Sequence, residues 1–348
     1  MTLADVLLSI LWLALFIYAI FVGADFGAGM LELFAVGESG SRQETLIDES
    51  IGPVWESNHV WLIFLLVVFF TAFPPAFAAI NVVLFIPLLL AVIGIVLRGS
   101  SFVFKTHGSI QSNRNVKILS RTFSVASAMT PFFLALVGAA IASGVIVIQN
   151  ESQVVTNTGS DWLTPFTLTV GAMALSLCVT ISAIYLTVEA TTRGETELAE
   201  AFRRRGLIAG ALTAVFGLLG LILSPSEAAF LWHGLLDKAI PVVIVTMLVG
   251  VATAAALWFR RYVWARVLVV ALTALLLLSW GVSQYPYIIP PDVTDANASS
   301  PLETQQFLLV GIIIALIIVS PSLWFLFYVF KLKKIEPSAG DVAQKSAE

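Results

Sequence analysis

Four residues whose side chains can exchange protons or form hydrogen bonds lie at the ends of two long apolar stretches. Asp25 follows 19 consecutive uncharged residues, and Glu56, Asn58 and His59 open the next apolar stretch. Burial raises the pKa of a carboxyl group, so a buried acid can hold and release a proton near neutral pH. Ionisable groups within membrane helices are usually functional. These four residues are therefore predicted to take part in proton transfer.

Acids near helix ends also have a simpler interpretation, because they often face water or cap a neighbouring helix. Glu32 lies seven residues after Asp25, on the same helical face, and we expect it to be a solvated end-of-helix residue. The next acids along the chain could collect protons, but we expect them to form a solvated acidic loop: Glu44, Asp48 and Glu49.

The segment Ser50–Pro75 places three of the four predicted residues at the mouth of a helix, between Trp55 and Trp61. Ser50 can cap that helix, and Pro53 is tolerated in its first turn. The residues from Val60 to Leu97 carry no charge. As one helix they would measure roughly 57 Å, which exceeds the roughly 30 Å of a bilayer core. The Phe73-Pro74-Pro75 break therefore divides them into two membrane spans.

The overall composition is that of an all-α polytopic membrane protein. The 348 residues are 59% hydrophobic and only 11% charged, with a mean hydropathy of +0.96. Only long apolar helices bury so much apolar sequence in lipid. The whole of residues 1–336 is expected to form one membrane domain, followed by a disordered cytoplasmic tail at residues 337–348. No nucleic-acid motif or soluble domain is apparent.

Charge-free runs predict nine membrane helices. Their approximate bounds are Val6–Ala24, Ile51–Phe73, Ala76–Leu97, Thr122–Ile148, Trp162–Val188, Gly206–Leu223, Ala239–Phe259, Val267–Tyr285 and Thr304–Phe330. Of the 18 Lys and Arg residues, 17 fall in every second connection or in the tail, and only Lys238 falls elsewhere. By the positive-inside rule the amino terminus is outside and the carboxyl terminus is cytoplasmic. Asp25 and Glu56 are then expected to meet at similar depth near the cytoplasmic boundary.

Histidine and cysteine usage predicts no metal site in this chain. The three histidines, His59, His107 and His233, do not share a membrane level and a pair of spans, as the axial ligands of a b-type haem would. The single cysteine, Cys178, lies in an apolar run. We expect His59 to be a hydrogen-bonded partner of Glu56 rather than a metal ligand.

Arg98 ends the third predicted span. An arginine at this level ordinarily extends to lipid phosphate, while the functional alternative is a counter-charge for Glu56 or Asp25. Gly27 and Gly29 form part of a small-residue face that allows close helix packing.

The chain contains three distinctive motifs: ADFGAGML at Ala24–Leu31, IGPVWESNHVWL at Ile51–Leu62 and AFPPAFA at Ala72–Ala78. Together they resemble subunit II of the cytochrome bd quinol oxidases. Arg98 with Phe102, and YPYIIPP at Tyr285–Pro291, also match the family pattern. The resemblance extends over essentially the whole chain, and the second motif is highly specific.

The resemblance implies two four-helix bundles plus one peripheral helix, in the bacterial or archaeal cytoplasmic membrane. It implies a haem-free subunit, not catalytic alone, beside a subunit I that holds haems b and d, oxidises quinol and reduces oxygen to water. It further implies that Asp25 and Glu56 line a cytoplasmic proton entry. A structural quinone in this chain, a single-helix accessory subunit and bound lipids are also compatible with it.

The chain departs from many relatives in its second motif, which often reads Trp-Asp-Gly-Asn-Glu but here is Trp55-Glu56-Ser57-Asn58-His59. His59 in place of an acid or amide changes the local charge balance. Two alternative functions remain open at this point. One is a structural scaffold that conducts no protons, and the other is a proton-coupled secondary transporter with Asp25 and Glu56 as coupling acids.

Overall fold

The structure, a computed structural model, describes residues 2–35, 40–107, 113–149, 153–155 and 162–332. Within these ranges the structure describes the backbone alone at residues 51–57, 106–107, 113–116, 147–149, 153–155, 323 and 326–332. The side chains of Trp55 and Glu56, and the predicted tail at residues 337–348, therefore lie outside the described part of the chain.

Helices dominate the described residues. Their bounds are α1 Leu3–Glu32, α2 Gly40–Ala72, α3 Pro74–Val83, α4 Phe85–His107, α5 Asn113–Ser143, α6 Pro165–Thr192, α7 Thr196–Glu227, α8 Ala229–Gly234, α9 Ile240–Trp258, α10 Tyr262–Gln284, α11 Asp295–Ala298 and α12 Leu302–Leu332. A π-helical turn, Leu235–Ala239, joins α8 to α9. Two short antiparallel pairs complete the fold: β1 Val147–Gln149 with β2 Gln153–Val155, and β3 Tyr287–Ile289 with β4 Val293–Thr294.

Local sequence signals explain where several helices begin and bend. The Thr2 and Thr164 side chains cap α1 and α6 through reciprocal capping boxes with Asp5 and Thr167. Phe73 separates α2 from α3, whose first residues are prolines, and the two helix axes differ by 115° there. The predicted break at Phe73-Pro74-Pro75 is therefore present as a sharp turn between two helical segments.

Eight helices among the described residues are long and apolar enough to cross a membrane. The bent pair Asn58–Ala72 and Pro74–Val83 would supply a ninth if it counts as one span. The acids predicted to form a solvated loop, Glu44, Asp48 and Glu49, belong instead to the first turns of α2, which begins at Gly40.

Helix packing forms two connected groups. Helix α1 packs on α2 and α5, and α4 packs on α5. In the second group α6 packs on α7 and α10, and α9 packs on α10 and α7. Helix α6 also contacts α1 and α5, which joins the groups, while α12 contacts α2 and α1. The largest apolar core lies in the first group and includes Leu7, Phe73 and Leu136.

Glycines of α1 allow close helix packing both between the two groups and within the first group. At Gly27 an added Cβ would overlap the backbone carbonyl of Cys178 on α6, and at Gly29 it would overlap the side chain of Ser127 on α5. A side chain at either position would force the helices apart. The structure thus supports the predicted close packing at Gly27 and Gly29.

Ion pairs link the α1–α2 connection to the α6–α7 connection at one end of the molecule, which we call the basic end. Arg42 on α2 contacts Glu195 and Glu197 at 2.9 Å and 3.1 Å. Arg193, after α6, contacts Glu49 on α2 at 2.6 Å. Because these contacts join the α1–α2 and α6–α7 connections, the basic residues of both connections lie at the same end.

Candidate functional site

One group of polar side chains, which we call the deep layer, consists of Asp25, Arg98, Asn58 and Ser127. Arg98 Nη2 donates to Asp25 Oδ1 over 2.5 Å, and the two side chains are 1% and 0% exposed. Asn58 Nδ2 donates to Asp25 Oδ2 over 3.1 Å. Arg98 Nε donates to Ser127 Oγ over 3.0 Å. Helices α1, α2, α4 and α5 therefore each contribute one residue to one buried cluster.

Arg98 acts as a counter-charge to Asp25 and does not extend to the lipid surface. Its guanidinium carbon lies 4.4 Å from the ring centre of Phe26 and 4.8 Å from that of Phe123. A buried charge costs several kcal/mol unless it is paired, and aromatic faces add attraction to a desolvated cation. Of the two interpretations of Arg98 from sequence, the structure therefore supports the counter-charge for Asp25.

A second group, which we call the shallow layer, consists of Glu32, Lys105, Asp48 and Ser120. Lys105 Nζ donates to Glu32 Oε1 over 2.9 Å and to Asp48 Oδ1 over 3.1 Å. Ser120 Oγ also donates to Glu32 Oε1. The Glu32 side chain is only 1% exposed. The expectation that Glu32 is solvated is therefore wrong, because α4 and α5 extend past it and cover it.

The two layers repeat the same arrangement along the helices. Asp25 and Glu32 are seven residues apart on α1, and their basic partners, Arg98 and Lys105, are seven apart on α4. Two turns of helix separate the layers, roughly 10 Å along the axis. Each layer also includes a serine of α5, and these serines are again seven residues apart: Ser127 and Ser120.

An aromatic ring of α5 lies between the layers. The Phe123 ring centre is 4.8 Å from the guanidinium carbon of Arg98 and 5.9 Å from Lys105 Nζ. Phe123 itself is buried and packs in the core that includes Leu31 and Leu46. The two ionic layers are therefore close in space but separated by apolar packing.

Three of the predicted site residues lie together on the described part of α2. Asn58 is buried against Asp25. His59 and Asn58 line a narrow cleft together with Tyr18, Phe26, Leu62 and Ile95. Trp61 is partly buried and packs against the core that includes Tyr18. Glu56, one turn earlier on α2, lies outside the residues whose side chains are described.

Several buried polar atoms of the site have no hydrogen-bond partner among the described residues. They are Arg98 Nη1, Asn58 Oδ1, Glu32 Oε2 and Trp61 Nε1. Buried polar atoms are nearly always hydrogen-bonded, so each such atom indicates water or another group at that position. The free atoms are concentrated in and beside the two layers.

Sequence reasoning missed the contributions of Lys105, Ser120 and Ser127. A signal was present, since Asp25 and Arg98 are 73 residues apart and so are Glu32 and Lys105. Two acid–base pairs with equal separations are expected where two parallel helices carry the same seven-residue repeat. The repeat alone does not reveal which helix faces α1.

Comparison with known proteins decides the family. The sequence matches the family described as cytochrome bd terminal oxidase subunit II over residues 3–330. The chain belongs to this family. It is accordingly a subunit of a cytochrome bd quinol oxidase, an oxidoreductase complex, and a multi-pass protein of the bacterial inner membrane. Membership also implies a subunit I as its partner.

Individual relatives cover nearly the full length of this subunit. A Bacillus subtilis protein assigned as subunit II of a cytochrome bd menaquinol oxidase is 23% identical over 95% of this chain and 96% of its own. Subunit 2 of the Escherichia coli cytochrome bd-I ubiquinol oxidase is 24% identical over 85% of this chain and 84% of its own. A solved structure of bd oxidase from Geobacillus thermodenitrificans superposes with a TM-score of 0.79 at 26% identity, covering 95% and 99% of the two chains. The family predicted from the three motifs is therefore confirmed.

The described residues were compared with the donor groups that hold metal ions in proteins. These residues contain no group of three or more His, Cys, Asp or Glu side chains close enough to hold a metal ion. Cofactor chemistry in this family is associated with the partner subunit, which binds haems.

Proposed function

We propose that this chain is the haem-free subunit of its oxidase, which stabilises haem-bearing subunit I and supplies a route for cytoplasmic protons to the site of oxygen reduction. Haems b and d belong to subunit I, and this chain is not catalytic alone. In this proposal the protein has nine spans in two four-helix bundles, with α12 peripheral, the amino terminus outside and the basic end in the cytoplasm.

The observation that carries the proposal is the complete burial of Asp25 in the deep layer. Ionisable side chains inside membrane spans are costly and usually mark ion or proton pathways. Asn58 of α2 reaches Asp25, so the middle of α2 and the last third of α1 lie at one depth. Glu56 precedes Asn58 by two residues, and we assign it, with His59, to the same route.

A purely structural function is favoured by one specific contact, the ion pair of Arg98 with Asp25. Such a pair can fix the positions of α1 and α4 without carrying protons. A secondary transporter has no comparable support, since the chain belongs to an oxidase family. The scaffold is therefore the alternative that an experiment must separate from proton entry.

The proposed assembly also includes lipids and, as a further partner, a single-helix accessory subunit. A structural quinone is less compatible with the described residues around the site. The cleft beside Asn58 and His59 is too narrow to hold even a water-sized group, whereas pockets for small organic ligands are typically about 300 to 1,000 Å³. We therefore assign no quinone to this position.

The test compares Asp25→Asn and Glu56→Gln in the purified complex with Glu197→Gln, an exposed acid of the basic end, as the matched control. Oxygen consumption with quinol should fall roughly tenfold or more in the first two variants, since proton-transfer groups typically contribute at least that factor. The reduced-minus-oxidised haem spectrum should be unchanged. Normal turnover in both variants would favour the scaffold, and absence of haem from an assembled complex would contradict the assignment of subunit I.

A further inference from the structure

We infer that Glu32 is the intake acid of the proton route, the first buried carboxyl group that receives protons from the cytoplasm before they reach Asp25. This inference rests on the proposed function and adds a residue that neither the motifs nor the family comparison assigns. Lys105 holds Glu32 in place, and Asp48 and Glu44 connect it to solvent.

The first argument is the gradient of exposure through the shallow layer. The side chain of Asp48 is 32% exposed, that of Lys105 is 13% exposed and that of Glu32 is 1% exposed. The three side chains are in direct contact through Lys105 Nζ. A continuous polar connection therefore leads from solvent at the basic end to a buried carboxylate.

The second argument is the unsatisfied oxygen of Glu32. Lys105 and Ser120 both donate to Oε1, whereas Oε2 is buried without a hydrogen-bond partner among the described residues. A carboxylate that served only to neutralise Lys105 would be expected to use both oxygens, because a buried unpaired acceptor costs about 1 to 3 kcal/mol. Oε2 is therefore the atom at which a proton or a water molecule would attach.

The third argument is the alignment of the two layers. Glu32 lies two helical turns from Asp25, on the same face of α1 and nearer the basic end. Like Glu32 Oε2, Arg98 Nη1 of the deep layer lacks a hydrogen-bond partner among the described residues. Ordered water commonly occupies such positions. The free atoms of Glu32 and Arg98 are therefore the positions on either side of Phe123 where such water would bind.

The charged surroundings of Glu32 suit a group that changes its protonation state. Lys105 contacts it from α4, Asp48 and Glu44 approach from α2, and Arg205 of α7 donates to the Phe34 carbonyl just beyond it. Burial and the nearby charge of Glu32 raise the pKa of Glu44. The negative charges of Glu32, Asp48 and Glu44 attract an incoming proton. The positive charge of Lys105, which contacts Glu32, offsets part of that negative charge.

The proton step is a simple transfer. Glu32 Oε2 accepts a proton from hydronium, or from the protonated carboxyl of Glu44 or Asp48, and becomes a neutral carboxylic acid. The same proton then leaves Oε2 for water on the side of Asp25, which restores the carboxylate. Lys105 keeps its charge throughout, because Asp48 remains its partner when Glu32 is neutral.

The experiment measures proton uptake by the fully reduced complex as it reacts with oxygen, with a pH-indicator dye in weakly buffered solution. Glu32→Gln should slow proton uptake and steady-state oxygen consumption roughly tenfold, while the haem spectrum and the thermal stability of the complex stay near those of the parent. Glu32→Asp, which keeps the carboxyl group, should recover part of the rate. Glu189→Gln is the matched control, because it removes an acid at the same end whose partner, Arg193, retains Glu49.

The outcomes separate this inference from the proposed function. Slow proton uptake in both Glu32→Gln and Asp25→Asn supports both. Normal uptake in Glu32→Gln with slow uptake in Asp25→Asn overturns the intake role of Glu32 alone. Normal uptake in both variants overturns the proton route itself. A Glu32→Gln complex that loses stability and haem while Glu32→Asp remains slow would assign Glu32 a structural function and also contradict the inference.

Discussion

Arg98 of α4 and Asp25 of α1 form a buried ion pair at 2.5 Å, in which neither side chain is more than 1% exposed. Neither residue could remain charged in this apolar interior without the other. The pair therefore fixes how α1 and α4 are placed, and it keeps a carboxyl group at a depth where water alone could not stabilise it. Different variants are therefore needed to separate the contribution of Asp25 to stability from its contribution to proton transfer.

Replacing Arg98 by leucine should destabilise the protein strongly. The Asp25 carboxylate would lose its counter-charge while keeping only the Asn58 hydrogen bond, a change that typically costs about 3 to 5 kcal/mol. Thermal unfolding of the detergent-solubilised complex measures the effect. Arg42→Leu is the control, since Arg42 is 51% exposed and its surface ion pairs are worth at most about 1 kcal/mol. Equal stability of the two variants would contradict the buried pair.

Gly27→Ala should also destabilise the protein. The added methyl group would overlap the Cys178 carbonyl on α6, so α1 and α6 must separate, and overpacking of this kind costs about 1 to 3 kcal/mol or more. Gly311→Ala on α12 is the control, because no atom lies within 4 Å of its added Cβ. The yield and unfolding temperature of each variant report the difference, and an unaffected Gly27→Ala protein would show that this helix contact is looser than described.

Glu44→Gln should stabilise the protein at neutral pH and lose this advantage in acid. Burial, with the charge of Glu32, raises the pKa of Glu44 above its ordinary value of 4.5. The ionised form is thus disfavoured in the folded state, so a neutral side chain helps wherever Glu44 is charged. Below the ordinary pKa the carboxyl is protonated in both folded and unfolded states, and the benefit disappears. Unfolding temperatures measured between pH 4 and pH 8 would show a gain growing with pH; a constant gain would contradict the shift.

The membrane orientation can be tested with single cysteines. Cys178 is buried, so a cysteine introduced at an exposed position should be the only reactive thiol among the described residues. Glu197→Cys, at the basic end, should react with an impermeant maleimide only from the cytoplasmic side. Ala296→Cys, at an exposed position of α11, should react from the outside. The reverse pattern would contradict the charge-based orientation.

Much of the architecture follows from sequence, because hydropathy and proline placement act locally. Most apolar runs coincide with helices of the structure, and Pro74 and Pro75 mark the turn after α2. The predicted span Ala76–Leu97 is an exception, because it is divided at Leu84 between α3 and α4. Contacts between residues that are far apart in the sequence cannot be predicted in this way. Arg98 lies 73 residues from Asp25, and nothing in the local pattern tells whether it faces lipid or a carboxylate. The sequence does not predict the burial of Glu32 for the same reason, because that burial depends on the lengths of α4 and α5.

The most direct measurement is oxygen consumption by the complex that carries Asp25→Asn together with Arg98→Gln. This double variant removes both buried charges at once, so neither is left uncompensated and the fold should be retained. We expect normal assembly and a normal haem spectrum but oxygen consumption reduced roughly tenfold or more, because the route then lacks the carboxyl group of Asp25. Normal oxygen consumption in the double variant would show that Asp25 only holds the helices together.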